Sequence, residues 1–300
     1  MTELGAKARR PGPTVRTRVT ELGEDRERKR EDQLATEEPL EIRVAWPGSP
    51  AQRVWVTMRT PGHDFELAAG FCCHEGMAAP SSPSTTTGPT IRGIAYCTDV
   101  DLTPEQELNV VTVTLTGPTD IGHRHTGLSA GSSACGVCGK DSVTEVLDSV
   151  SGVRTAWTGP LPHPDVVRRL PARLREGQAV FSRTGGVHAA GLFTADGDLL
   201  VVREDVGRHN AVDKLVGWAV LGDRLPLAET VLMVSGRCGY EIVQKAVAAG
   251  IPVVASVSAP SSLAVAVAED FGITLAGFLR GRRCNVYAVR DRLALPVAAG

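Results

Sequence analysis

The sequence predicts an α/β protein, a layered α/β core preceded by a smaller, mainly antiparallel β module. From Val187 to Phe278, apolar strands, polar loops and helices follow one another repeatedly, which is the pattern of helices covering a sheet. Before residue 116, short runs alternate apolar and polar residues with the period of two that marks half-buried strands. Between these regions lies Ser129–Lys140, with three glycines, three serines, two cysteines and only one bulky apolar side chain, too polar to join either core.

The elements follow in order. Residues 1–38 mix Arg, Lys, Glu and Asp with Pro and Gly and have almost no apolar periodicity, so this tail is expected to be disordered. The β module spans 39–127. In it Leu40, Ile42 and Val44, then Val54, Val56 and Met58, alternate on either side of Pro47-Gly48-Ser49-Pro50, which reads as a hairpin. A helix is expected over His63–Gly76, with Phe65, Leu67, Ala68 and Phe71 as its apolar face. Cys72-Cys73-His74-Glu75 at its end reads as core packing, because adjacent helical cysteines point about 100° apart. A Ser/Thr/Pro insertion at 78–89 precedes strands Ile91–Tyr96 and Asn109–Leu115.

Residues 128–141 form an exposed CxxC loop, and 142–300 the α/β core. The core opens with a short helix over Ser142–Val150 and a helical region over Pro164–Val180, interrupted at Pro171. Strands Val187–Phe193 and Leu199–Arg203 are joined by the turn Ala195-Asp196-Gly197-Asp198. Helix Asn210–Leu221, strand Thr230–Val234, helix Tyr240–Ala249, strand Val253–Ser256, helix Ser261–Phe271 and strand Thr274–Phe278 complete it, with crossovers long enough for parallel pairing.

Composition excludes several classes. Of 300 residues 42% are hydrophobic, enough for a substantial core. A net charge of −2 gives no basic field for nucleic acid, and no apolar run approaches the roughly 18 residues of a membrane span. The Arg-rich N-terminal stretch lacks the apolar segment of a secretory signal, and seven cysteines form no disulfide framework, so a cytoplasmic protein is expected.

The CxxC loop presents Cys135 and Cys138 as the candidate catalytic residues. Cysteine reacts as thiolate, and Lys140 nearby without apolar walls favours that form. A structural zinc site needs four ligands; no second CxxC follows, although His123 and His125 lie upstream. A thioredoxin-like motif would open a helix after a strand, which this loop does not. A zinc-binding interaction module and a pair of inert thiols stay open, but a mobile thiol that accepts and hands on sulfur fits best, and no structural metal is expected. A zinc-dependent nucleobase deaminase needs an HxE ahead of its CxxC, whereas His188-Ala189-Ala190 follows the cysteines and lacks the carboxylate.

Ligands of such sheets bind beyond the carboxyl ends of the strands. There the chain places Arg208, His209 and Asn210, then Ser235, Gly236 and Arg237, then Ser258, and after the last strand the basic run Arg280-Gly281-Arg282-Arg283. Helix N-termini and guanidinium forks at one edge suit a large anionic ligand carrying phosphates.

The stretches SSACGVCGK, REDVGRHNAVDK, VSGR followed by EIVQKA, and VSAPSSLAV resemble the formate dehydrogenase accessory sulfurtransferase family, FdhD, from about Pro39 to Val289. That resemblance implies a cytidine deaminase-like core, a homodimer, and a sulfur carrier. The carrier would take persulfide sulfur from a cysteine desulfurase and deliver it to the bis-guanylated molybdenum cofactor (Mo-bisMGD), its bound client, for formate dehydrogenase. It implies Cys135 as the persulfide residue with Cys138 its partner, and Phe278-Leu279-Arg280-Gly281-Arg282-Arg283 as the cofactor-contacting stretch. The guanine nucleotide moiety of the cofactor would occupy the strand-end loops.

Overall fold

A computed structural model of the chain describes residues 12–24, 26–80, 88–98, 102–103, 108–121, 157–281 and 283–294. The CxxC loop, the expected helix at 142–150, most of the Ser/Pro insertion and Arg282 lie outside these residues.

The first correction concerns the tail. Strands β1 (Thr14–Leu22) and β2 (Glu27–Ala35) pair antiparallel without a bulge, from Thr14↔Ala35 to Leu22↔Glu27. Composition predicts disorder because the ribbon buries almost nothing. It holds instead by the backbone ladder, by Arg30 bridging Glu21 and Asp32, and by resting β2 on a helix of the core.

The module is a four-stranded sheet of β3 (Glu38–Trp46), β4 (Ser49–Arg59), β5 (Ile91–Tyr96) and β6 (Val110–Leu115) in the order β4-β3-β6-β5. It is mainly antiparallel, as expected, with its two antiparallel pairs joined through one parallel β3–β6 pair at the centre. Leu40, Ile42 and Val44 on β3 and Val111, Val113 and Leu115 on β6 are all fully buried beneath α1 (Asp64–His74), each Leu or Ile contributing about 1.5–3 kcal/mol by its removal from water. Leu67, Ala68, Phe71 and Cys72 form the helix face turned to this sheet, where Phe71 stacks on Trp55 at 4.4 Å. Ala69 and Cys73, on the opposite face, enter the main core. The thiols of the Cys72-Cys73 pair are thus packing residues, as their helical spacing predicts.

The main sheet contains β7 (His188–Phe193), β8 (Leu199–Asp205), β9 (Val231–Val234), β10 (Val253–Ser256), β11 (Thr274–Arg280) and β12 (Arg283–Ala288), in the order β12-β11-β10-β9-β7-β8. Strands β9, β10 and β11 are parallel; β7, β8 and β12 run antiparallel to their neighbours. Alternate residues serve two cores. Leu232 and Val234 face α4 (Arg208–Leu221), α5 (Tyr240–Ala248) and α6 (Ser262–Asp270), while Val231 and Met233 face α2 (Pro164–Gly177). The result is three layers, helix on sheet on helix. A short helix α3 (Ala179–Thr184) follows α2.

Helix α2 runs through Pro171 without interruption. Val167, Leu170 and Leu174, all buried on the sheet, hold the turn on both sides of the missing N–H, and this packing outweighs the local penalty of proline. Helix α4 is buried from His209 through Gly217, enclosed between the sheet and α1.

Candidate functional site

One edge of the main sheet collects the polar loops. Because β9 and β10 are parallel and β7 runs against them, the carboxyl ends of β9 and β10, the start of β7 and the end of β8 share this edge, and His188 pairs directly with Asp205. The loops are tied together: Ser235 accepts at Oγ from Ala189 N (2.9 Å) and donates from its own N to Ala189 O (3.0 Å). Phe278 N donates to Ser258 O, and Cys238 pairs with Pro260 in a short parallel bridge between the two crossover loops.

Asp205 fixes the first loop. Its carboxylate accepts from Gly207 N (2.8 Å), Asn210 Nδ2 (3.1 Å) and Thr60 N (3.1 Å), and pairs with buried Lys214 at 2.6 Å. Lys214 also donates to Thr60 O at 2.8 Å, and Thr60 Oγ1 accepts from Val206 N. The β module therefore reaches through Thr60 into the loop that leads to Arg208. A buried lysine and aspartate paired and hydrogen-bonded on every side define one geometry, and removal of either partner leaves a charge stranded.

The predicted site residues divide by depth. Arg208 and His209 are the first two residues of α4 rather than loop residues, and His209 is buried with Nε2 2.7 Å from Glu241 Oε2. Asn210 is fully buried and donates to Met58 O and Asp205, so it supports the loop from beneath. Ser235, Gly236 and Ser258 lie at the edge itself, and Arg237 is exposed there. Phe278 projects from β11 with φ +53°, a left-handed conformation unusual for a residue other than glycine, and the register with β12 shifts at this point. That irregularity turns Leu279 into the core, while Arg280 and Arg283 face each other, exposed, across the turn at Gly281 (φ +56°). Cys135, Cys138 and Arg282 lie outside the described residues.

Sequence reasoning passed over the second wall. A cleft of about 760 Å³ opens between α2–α3 and the edge, lined by Leu174, Phe181, His188, Val206, Ser235 and Val257 among others. Helix α3 is held there by Glu204, whose carboxylate accepts from Val180 N and Phe181 N at 2.8 Å each. Burial, followed by the charges of Arg208 and His209, lowers the His188 pKa below its ordinary value against the opposing pull of Asp205, so the ring is neutral at neutral pH. Gly236 packs closely beside it: a Cβ there would stand 3.2 Å from His188 Nδ1, and the ring would have to give by a few tenths of an ångström. A glycine two residues beyond an apolar strand was the one signal of this contact in the sequence.

Three of the described thiols, those of Cys72, Cys73 and Cys238, are buried, while Cys97 and Cys284 are only partly covered. Burial pushes the Cys73 and Cys238 thiols up to about 12, and raises that of Cys72 further. Among the described residues no three His, Cys, Asp or Glu side chains converge as a metal site, and no helix is long and apolar enough to cross a membrane.

The comparisons with known proteins are extensive. Residues 35–294 match the model of the FdhD/NarQ family. A Nocardia farcinica protein named Sulfur carrier protein FdhD is 48% identical, covering 96% of this chain and 97% of its own. A Streptomyces coelicolor protein of the same name is also 48% identical over 96% of this chain and 98% of its own. In fold, the chain is similar to the crystal structure of a Desulfotalea psychrophila protein assigned as a formate dehydrogenase accessory protein, with a TM-score of 0.69 at 22% identity over 94% of this chain and 99% of that one.

Proposed function

Because the chain belongs to the FdhD/NarQ family, we propose that it is a sulfurtransferase of the carrier type, accepting persulfide sulfur from a cysteine desulfurase and transferring it to the Mo-bisMGD cofactor of formate dehydrogenase. The main sheet is read here as the cytidine deaminase-like core that the family resemblance implies, acting as a cytoplasmic homodimer. Cys135 is the carrier and Cys138 its partner in the CxxC. The thiolate of Cys135 attacks the outer sulfur of the donor's persulfide, a new S–S bond forms, and the donor cysteine leaves as thiolate.

The relatives' shared name supports the carrier role. The observation that carries the cofactor half of the reading is the convergence of Arg208, Ser235, Arg237 and Ser258 on the carboxyl edge of the parallel strands, with the exposed Arg280 and Arg283 at the turn beyond β11. Helix N-termini and guanidinium groups there suit the pyrophosphates of a guanylated cofactor, and Lys140 beside the CxxC favours its thiolate. Calorimetry with GDP, a fragment of the cofactor, tests the site. Arg237→Lys keeps the charge but loses the bidentate fork, so binding weakens if the contact is direct. Equal affinity in wild type, Arg237→Ala and Arg208→Ala removes the edge from the reading.

A further inference from the structure

We propose that Thr60 of the β module is the positioning residue for Arg208, so that the module sets how tightly the sheet edge holds a phosphate-bearing ligand; the proposal rests on the reading of that edge as the cofactor's pyrophosphate site. Arg208 opens α4, and Gly207 before it stands at the cap position without a side-chain cap. The conformation of the residues leading to Arg208 is therefore fixed by other groups. Asp205 fixes Gly207, accepting from its N at 2.8 Å, and Thr60 fixes Val206, its Oγ1 accepting from Val206 N at 3.1 Å. Thr60 is 1% exposed and lies 146 positions from Val206 in the chain, on the connection between β4 and α1.

Three contacts join Thr60 to this corner, and only one depends on its side chain. Its N donates to Asp205 Oδ2 at 3.1 Å and its carbonyl accepts from Lys214 Nζ at 2.8 Å, bonds that any residue but proline could make. Together with the bond from Asn210 Nδ2 to Met58 O at 2.8 Å, they latch the module to the core through the module's backbone. The hydroxyl instead reaches the loop two residues before Arg208. Removing the hydroxyl therefore frees the loop and leaves the latch in place.

The placement of Arg208 matters because its stem lies across the next loop. A Cβ on Gly236 would stand 3.9 Å from Arg208 Cδ and 3.2 Å from His188 Nδ1, so the stem, the second loop and the imidazole pack against one another. A guanidinium fork meets phosphate oxygens in a fixed geometry, so a shift at its base costs affinity without removing the charge. His188 reports the same placement without any ligand. Burial first, then the charges of Arg208 and His209, hold its pKa below the ordinary 6.5 against the pull of Asp205. An Arg208 released from its position leaves the ring easier to protonate.

The test is a double-mutant cycle on the full chain with Thr60→Val, Arg208→Ala and the two combined, read by calorimetry with GDP and by NMR titration of His188. Thr60→Val keeps the shape and deletes the hydroxyl, and Thr60→Ser restores it. Thr60→Val should weaken GDP binding on the order of 10-fold and raise the His188 pKa. Thr60→Ser should match wild type in both, and in the Arg208→Ala background Thr60→Val should change neither. If Thr60→Val does not fold, amide exchange takes its place: GDP should slow exchange at Val206 in wild type and not in Arg208→Ala. A folded Thr60→Val that is less stable but unchanged in GDP affinity and His188 pKa overturns the proposal and leaves Thr60 an anchor; so do additive effects of the two substitutions. Wild type that binds no GDP overturns the reading of the edge, while the His188 titration still decides whether Thr60 places Arg208.

Discussion

Arg203 and Glu66 show what a single pair does in this molecule. Arg203 on β8 grips Glu66 on α1 with a bidentate fork, Nε to Oε2 at 2.5 Å and Nη2 to Oε1 at 2.7 Å, tying the main sheet to the module helix. Burial alone would raise the Glu66 pKa, but the hydrogen bonds from Arg203 and His63 outweigh it and hold it at about 2, below the ordinary 4.5. A depressed carboxyl contributes stability that is complete above its unfolded pKa and is lost as pH falls through the folded one. Discounted for solvent screening, that is about 1–2 kcal/mol lost between about pH 5 and pH 2. Arg203→Ala should lower stability by that amount at neutral pH and flatten the acid limb, measured by urea unfolding at several pH values; an unchanged acid limb would show that the fork stabilises nothing. Neither residue advertised this in the sequence, because the pair spans 137 positions. The edge residues were more legible: Arg208, Ser235, Arg237 and Ser258 each follow an apolar strand, and that placement needs no knowledge of distant partners.

At the scale of elements, the crossing of α1 over α4 joins the module to the core, and two glycines make it possible. A Cβ on Gly217 would stand 1.7 Å from the Glu66 carbonyl oxygen, and one on Gly70 2.0 Å from that of Asp213. The backbones meet where each helix has no side chain, and the buried cluster of Asp213, Lys245 and His74 closes beside them, with Lys245 Nζ 2.8 Å from Asp213 Oδ1. Gly217→Ala must push the helices apart, and it should cost about 3 kcal/mol or more in thermal or denaturant unfolding, above the gain in helix propensity. A neutral or stabilising result would mean that the helices do not cross this closely. Periodicity predicted both helices but not their contact. A glycine inside a helical pattern reads as a weak point until the opposing backbone is known. The same limit explains Pro171, read as a break but carried through by buried neighbours, and the β1–β2 ribbon, whose pairing leaves no apolar trace.

For the whole molecule, the order of strands and helices in the core was legible because each alternation of apolar strand and polar loop is local. The central parallel β3–β6 pair of the module and the antiparallel return of β12 were not, since direction is set by which antiparallel pairs meet. The site divides in the same way. Its edge followed from the topology, while the wall made by α2 and α3, the neutral His188 and the His209–Glu241 pair required the folded arrangement. The account as a whole makes the CxxC the place where sulfur is carried, with Cys72, Cys73 and Cys238 held inert by burial and the partly covered Cys97 and Cys284 outside the carrier loop. The most direct test is intact mass and peptide mapping after treatment with a cysteine desulfurase and cysteine. The account predicts sulfane sulfur on the peptide containing Cys135 and none on those containing Cys72, Cys73 or Cys238. It also predicts that Cys135→Ser abolishes loading while changing stability by less than about 0.5 kcal/mol. Sulfur on another peptide, undiminished loading of Cys135→Ser, or a large loss of stability with stoichiometric zinc in the wild type would contradict it.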